Sequence, residues 1–423
     1  MSRRLCLVAL VLALAVGACR PGPPGEAPPI RFRPVPLDPN EEYAVRLWDF
    51  RYPVGPVLPY EEGGERYRES LQAVLDAFTA SFPNVRVEVT LLDFEGGDQA
   101  LLEALAAGDP PDVFASWWQY PRPDHELVVP VEPYLDPEEA AAYHPLAWQL
   151  AGAGAWPRWL FPLPILARTA ALEGDPAGRW ESGWEWADLL AQAAGAARRG
   201  TARYGLAAAS GESALGWLLA SQGAGLFGRG PELPRALGWV RQAVEGGALL
   251  TGKEADDQAV YLFASGRAAF LLGVNPALAR RLLADPTVVA LPVPRFAEAA
   301  AATPVGAAHL VVFRQRDFKG LEHTRAAVEL ARWLSRAGEL FPGELLLGIP
   351  AWGATAGEVS ARLLEAARGP NPGLYPGSRS SPEEFQAAQA ARGPLARWWA
   401  GELTDGELEE RLGMLLPVFA PRR

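Results

Sequence analysis

Cysteine is nearly absent from this chain. Its 423 residues include two, Cys6 and Cys19, so nothing after position 19 has a thiol to cross-link. A disulfide-stapled body and a thiolate metal centre are both excluded by that count. Lysine is as rare: Lys253 and Lys319 stand against many arginines. Acidic residues outnumber basic ones, 50 to 39, for a net charge of −11 and a pI of about 5.1. That balance argues against a nucleic acid or an anionic membrane surface as an electrostatic partner. Beyond the first 16 residues no uninterrupted apolar run is long enough to cross a bilayer. The four histidines, His125, His144, His309 and His323, are scattered without His-x-x-x-His spacing, so no metal site is expected.

Catalytic motifs are missing too. No Gly-x-Ser-x-Gly elbow occurs. Gly225-Leu226-Phe227-Gly228-Arg229-Gly230 lacks the Gly-Lys-Ser/Thr of a phosphate loop and reads as a turn. A glycosidase needs only two facing carboxylates, and 50 acidic residues could hide such a pair. The visible pairs, Glu61-Glu62, Glu138-Glu139 and Asp256-Asp257, read as solvated surface. The expectation is a protein that is not an enzyme and carries no cofactor.

What is present begins at the N-terminus. Met1 to Arg4 is positive, Leu5 to Val16 is apolar, and Val16-Gly17-Ala18-Cys19 closes the run. This resembles the lipobox of bacterial lipoproteins. The resemblance implies a signal peptide over 1–18, a diacylglyceryl group on Cys19, and an extracytoplasmic protein anchored on the cell surface or the periplasmic side. Each buried acyl methylene contributes about 0.8 kcal/mol, so more than one chain makes a durable anchor. Residues 19–40 are proline-rich and read as a stiff spacer. The body that follows, about 380 residues, is the size of two domains.

Along that body, Tyr43 to Trp48 alternates as a strand and Tyr67, Leu71, Val74, Leu75, Phe78 and Phe82 recur at helical spacing until Pro83. Val85 to Leu91 alternates again, Leu101 to Leu105 builds a helix that Gly108 can cap, and Asp112 to Ala115 is a short strand. This β-α-β-α-β order marks an α/β lobe. The stretch from Trp156 to Val293 reads as mostly helical, with strands at Tyr204–Ala208 and Val288–Val293. A strand at His309–Phe313 and a helix at Thr324–Arg336 follow. Thr404-Asp405-Gly406-Glu407 is a capping box opening the last helix.

Several stretches, in order, resemble the extracellular solute-binding proteins of ABC importers, in the family that carries mostly sugars. They are Phe82-Pro83-Asn84-Val85, Leu105-Ala106-Ala107-Gly108-Asp109-Pro110-Pro111-Asp112-Val113, Trp184-Glu185-Trp186, Phe263-Ala264-Ser265-Gly266-Arg267-Ala268-Ala269-Phe270 and Leu291-Pro292-Val293-Pro294. The resemblance covers nearly the whole body. It departs where the family often carries Tyr-Tyr-Asn, here Leu166 to Leu172. It departs again where the family often has Gly-Gly and a nearby Trp, here Gly306-Ala307-Ala308-His309. The fold it implies is an α/β, two-lobed periplasmic-binding-protein-like clamp with a hinge. Lobe 1 would be 41–160 and 303–350, and lobe 2 would be 161–302 and 351–423. The implied function is capture of a small solute, most naturally a sugar or oligosaccharide, by a monomer that docks on ABC permease subunits. A transport-independent sensor or scaffold with a degenerate pocket is the alternative the departures motivate, and a carbohydrate-active hydrolase is a minor one.

A saccharide site needs aromatic platforms and hydrogen-bonding side chains. Trp48 and Asp49 lie at the end of the first strand. Trp117, Trp118 and Gln119 follow the Asp112–Ala115 strand. These lead the expected ligand residues, with Ser210, Glu212, Asn275 and Trp352 behind them. Trp117 and Trp118 are adjacent, so on a strand one of them faces the core. Trp184, Trp186, Trp239 and Trp333 are expected to be core.

Overall fold

In strand β1 (Tyr43–Phe50) the residues Tyr43, Val45, Leu47 and Asp49 are buried, while Ala44 is exposed and Arg46 and Trp48 are half-buried. That alternation fixes which face meets the core. The computed structural model describes residues 30–51, 60–93, 96–116, 125–173, 184–208, 211–222, 226, 230–251, 253–274, 276–297, 302–341, 348–353, 360–361, 363–364, 371–374 and 382–419. The chain divides into two units, Met1–Arg33 and Pro34–Arg423. Residues 30–33 have no regular structure, and the described helices and strands fall in the second unit.

After β1 come α1 (Tyr60–Ser81), β2 (Val85–Leu92), α2 (Gly97–Ala107) and β3 (Val113–Ser116). Short helices α3 (Pro137–Ala141) and α4 (Pro145–Ala151) lead to β4 (Ala155–Pro162) and β5 (Ile165–Arg168). Then follow α5 (Trp186–Arg199), β6 (Tyr204–Ala208), α6 (Gly211–Ala220), α7 (Glu232–Glu245), α8 (Lys253–Ala264), β7 (Ala268–Leu272), α9 (Pro276–Leu282) and β8 (Val288–Leu291). The chain continues through β9 (Ala302–Val312), α10 (Leu321–Arg336), β10 (Ile349–Pro350), β11 (Asn371–Leu374), α11 (Pro382–Trp399) and α12 (Asp405–Phe419).

The strands form two sheets. The larger runs β10-β4-β9-β3-β1-β2, with β11 also on β9; the smaller runs β6-β7-β5-β8. β1 is parallel to both β2 and β3, and β9 is antiparallel to β3 and β4. The smaller sheet is covered on both faces. Ile165, Ala167, Leu206 and Phe270 pack with α5, α6, α7 and α11, while Leu166, Ala207 and Leu271 pack with α8 and α9. Each such leucine or phenylalanine contributes roughly 2 kcal/mol of burial free energy.

The segment from Leu105 to Val113 has a structural purpose for nearly every residue. Gly108 ends α2 in the left-handed region (φ 78°), and a Cβ there would lie 2.9 Å from Arg316 Nε. Asp109 pairs with Arg46 at 2.7 Å, and the Pro110 carbonyl accepts from Arg46 and from Gln315. Asp112 is fully buried. It accepts from the Arg46 N–H (2.8 Å), Gln315 Nε2 (2.7 Å), His323 Nε2 (2.9 Å) and Lys319 Nζ (3.3 Å). The carboxylate thus ties β1, β3 and α10 together at the amino-terminal ends of the parallel strands.

Two expectations need correction. The stretch after Trp156 is not mainly helical at its start, because β4 is a strand with all eight residues buried. A strand covered on both faces loses alternation, and Pro157 is tolerated because the register shifts between Pro157 and Trp159. The bulge aims Arg158 at Asp49. Residues 351–423 do not all belong with the smaller sheet either, since β11 pairs in parallel with β9 in the larger one. The chain passes between the sheets from Pro162 to Ile165, from Leu291 to Ala302, and again between Leu374 and Pro382, since α11 packs on the smaller sheet. The sequence-expected caps form: Thr404 N–H donates to Glu407 Oε2 at 2.8 Å, and Glu407 N–H to Thr404 Oγ1 at 3.3 Å.

Candidate ligand-binding cleft

The register along β9 leaves a gap. Strand β3 occupies one edge of β9 from His309 to Val312, and β11 occupies the same edge from Ala302 to Val305. One runs against β9 and the other with it, so the carboxyl ends of β3 (Ser116) and β11 (Leu374) point at each other. Between them lie Gly306, Ala307 and Ala308, held from the other edge by Phe161, Leu160 and Trp159 of β4. All three gap residues are small and buried, and Ala307 packs in a core cluster with Leu160 and Phe263. In open α/β sheets ligands sit beyond the carboxyl ends of the strands, and this is such a place.

Helix α2 begins over the carboxyl ends of β1 and β2. Gly96, with φ 100°, precedes it, and a Cβ on Gly97 would lie 2.5 Å from Phe50 Cε1 and 3.1 Å from Leu92 Cβ. Only glycine lets the helix start settle this closely on the ends of β1 and β2. Asp98 follows in the first turn. It is half-buried, and its Oδ1 is buried with no hydrogen-bond partner among the described residues. Burial pushes its carboxyl up to about 7, while the charge of Arg392 pulls it the other way. Arg392 lies on α11, whose Ala391, Leu395, Trp398 and Trp399 belong to the core of the smaller sheet. A group on the larger sheet therefore senses a charge carried by the smaller one.

His309 supplies a second buried polar group. Its N–H donates to Ser116 Oγ at 3.2 Å, and its Nε2 is buried with no hydrogen-bond partner among the described residues. Burial lowers its pKa to about 4, so the ring is neutral at neutral pH. His309 is paired with Ser116, two residues on from Phe114, whose ring meets Phe50 edge-on at 5.8 Å. His309 thus shares the sheet face on which α2 lies. Buried polar atoms left without partners are rare enough to require a reason, and a ligand is one. Both groups can exchange hydrogen bonds with hydroxyls.

The sequence candidates fare unequally. Trp48 is half-buried in β1, in register with Phe114 and Thr90. Asp49 is fully buried, paired with Arg158 at 2.9 Å and accepting from Tyr67 Oη at 2.6 Å. Its face is opposite that of Trp48, and its carboxylate holds the β4 bulge rather than facing the gap. Trp352 meets Tyr143 at 4.9 Å and has the Arg336 guanidinium 4.8 Å above its ring, so it packs against the α4 and α10 side. Trp117, Trp118, Gln119, Ser210, Asn275 and Cys19 lie outside the described residues, as does the side chain of Glu212. Trp184, Trp186 and Trp239 are core, and Trp333 is half-buried with its indole donating to the Val74 carbonyl. Glu139 is not solvated surface: it is buried and ion-paired with Arg332 and Arg336. Asp98 escaped notice, although the glycine pair before it signals a helix start. His309 was visible only as a departure from a pattern.

Two sheets, crossings at 162–165, 291–302 and 374–382, and a gap at the strand ends describe a clamp. A family model, bacterial extracellular solute-binding protein, matches residues 64–339. The chain belongs to that family. No curated protein matches the sequence significantly. Among solved structures, the GacH receptor of Streptomyces glaucescens, determined unliganded and with acarbose, is similar with a TM-score of 0.63 at 17% identity, over 89% of this chain and 98% of that one. A sugar transporter from Arthrobacter chlorophenolicus with bound laminaribiose gives 0.65 at 13%, over 90% and 100%. The maltose/maltodextrin-binding domain MalE of Bdellovibrio bacteriovorus, bound to maltotriose, gives 0.60 at 15%, over 89% and 99%. The fold is the two-lobed one of this solute-binding family, whose members act outside the cytoplasm. Among the described residues no cluster of three His, Cys, Asp or Glu side chains could hold a metal ion, and no helix is long and apolar enough to cross a membrane.

Proposed function

We propose that this solute-binding protein captures a saccharide at the gap between β3 and β11 and delivers it unchanged to the permease subunits of an ABC importer. The observation that carries the reading is a pair of buried polar atoms without a hydrogen-bond partner among the described residues, Asp98 Oδ1 and His309 Nε2, on the sheet face that α2 covers, with His309 next to the floor of Gly306, Ala307 and Ala308. The sugars and sugar analogue named for the similar structures support that ligand class. In this reading Trp117 or Trp118, which follow Ser116 in sequence, offers the aromatic platform, and Gln119 adds a hydrogen bond. Ser210, Glu212 and Asn275 would contribute from the smaller sheet. A ligand touching both lobes favours the closed clamp because only that form makes both sets of contacts. Lobe 1 would then comprise 41–162, 302–353 and 371–374, and lobe 2 residues 165–291 and 382–419.

A thermal-shift screen against oligosaccharides, monosaccharides, polyols and amino acids tests the reading. Ligand at 100 times its dissociation constant stabilises the fold by about 2.7 kcal/mol. Stabilisation by one saccharide class, lost in Asp98→Ala and His309→Ala, is the expected result. Stabilisation by an amino acid alone would overturn the ligand class. No stabilisation at all would favour a transport-independent scaffold. We also propose that Cys19 carries the lipid that holds the protein at a bacterial membrane. Cys19→Ala then releases it to the soluble fraction, and a variant that still sediments with membranes contradicts the anchor.

A further inference from the structure

A second concavity lies away from the gap, between α5 and α7, with the crossing segment 295–297 at one end. Its volume is about 700 Å³, within the range of small-molecule sites. Leu190 and Phe296 are its half-buried apolar surfaces. Gly238 opens it, since a Cβ there would meet nothing nearer than Arg241 Nη2 at 3.8 Å. Arg198, Arg235 and Arg295 stand on its walls, against one carboxylate, Glu185, which lies 3.9 Å from Arg295. The excess of positive charge is local, in a chain whose net charge is −11. Arg235 donates to Gln222 at 2.9 Å and lies 6.0 Å from the Phe296 ring. Arg295 keeps a buried Nε without a hydrogen-bond partner among the described residues. An aromatic face beside guanidinium groups recognises a molecule that is flat and apolar at one end and anionic at the other.

We propose that this groove is a second binding site, for a small aromatic carboxylate or phosphate, separate from the saccharide gap. The ring lies on Phe296 and Leu190 over Gly238, and the anion meets Arg235 and Arg295. The site touches the path between the lobes. Arg295 N–H donates to the Trp184 carbonyl and Trp186 N–H to the Arg295 carbonyl, both at 3.0 Å, which binds the crossing segment to the start of α5. An occupant therefore bears on the strand that re-enters the larger sheet at Ala302.

Phenylphosphate is the probe, titrated into the purified full-length protein by calorimetry and by two-dimensional NMR of the tryptophan indoles. Benzoate, inorganic phosphate and phenol are run beside it. Saturable binding of phenylphosphate and benzoate that shifts the Trp186 and Trp239 indoles is expected. Arg235→Ala and Gly238→Leu should each weaken it at least tenfold, with the far-UV spectrum of the free protein unchanged in both and its melting temperature unchanged in Gly238→Leu. Gly238→Leu fills open space, so its loss of binding does not come from unfolding. Inorganic phosphate binding as tightly as phenylphosphate would overturn the aromatic half of the proposal, and phenol binding as tightly would overturn the anionic half. No binding at 10 mM (about 2.7 kcal/mol weaker than a 0.1 mM site), or binding that Gly238→Leu leaves intact, would overturn it altogether.

Discussion

Replacing Asp112 by alanine removes the acceptor shared by the Arg46 N–H, Gln315, His323 and Lys319. The carboxylate itself has no exposure, and Gln315 is also buried, so water cannot fully take its place. Stripping one partner from a buried charged network costs about 3–5 kcal/mol, because the remaining groups stay desolvated. Asp112→Asn keeps one acceptor oxygen but turns an NH2 toward donors, so its cost is about 2–4 kcal/mol. Equilibrium urea unfolding followed by tryptophan fluorescence measures both. The acid limb gives a separate signature. Burial raises the Asp112 pKa, but the hydrogen bonds from His323 and Arg46 and the charges of His323 and Lys319 outweigh it and hold the carboxyl below the ordinary 3.8. Its folded pKa is depressed, so its stabilisation is present above about pH 4 and is lost as pH falls through the folded value. Asp112→Asn should flatten that part of the stability profile. An Asp112→Ala variant within 1 kcal/mol of the parent would refute the network as the tie between β1, β3 and α10 (about 1 kcal/mol is what an exposed pair contributes).

Asp98 carries the opposite sign. Its folded carboxyl, at about 7, holds a proton more tightly than the unfolded group at 3.8, so its contribution is full below about pH 4 and disappears as pH rises through 7. Asp98→Asn should therefore gain stability over the parent at pH 8, by about 2 kcal/mol once solvent relaxation of a half-buried group is allowed for, and lose saccharide affinity; equal stability of the two at pH 8 would contradict the burial argument. Gly97→Ala drives a Cβ to 2.5 Å from Phe50 and should cost about 1–3 kcal/mol with weaker ligand binding, read by thermal melting with and without sugar. Thr404→Ala removes the hydroxyl arm of the last capping box, leaving the backbone N–H of residue 404 on Glu407, and should cost about 1 kcal/mol in urea unfolding, with ligand affinity unchanged.

The first half of the larger sheet was legible because its signals are local. Alternation in β1 and β2, the helical spacing from Tyr67 to Phe78, and the turn glycine at 108 each act within a few residues. β4 was not legible, since Ala155 to Pro162 is buried on both faces and carries two prolines and an arginine. Nothing short-range marks such a strand; its partners are Ile349 and the stretch Val305–Val311, far along the chain. α11 was missed for a related reason: Pro394 lies inside it, which reads as a break, yet Ala391, Leu395 and Trp398 remain anchored in the core. Trp48 and Asp49 show the limit for site residues. Chain position put both at a strand end, but strand alternation sends them to opposite faces, and Arg158, over a hundred residues on, decides what Asp49 does. The gap itself depends on where β3 and β11 stop along β9, which is a property of registers rather than of any motif.

The crossing strands are bonded to one another where they leave the larger sheet. Leu160, Phe161 and Pro162 pair with Ala307, Gly306 and Val305, and β11 adds a third strand beside Val305. Such a connection behaves as a leaf spring rather than as independent tethers. It flexes readily out of its own plane and resists shear and twist, because those would slide one ladder past another. The two halves of the clamp are then confined mainly to one angular coordinate. Little orientational freedom remains for a ligand to remove on closing, so more of its contact energy becomes affinity.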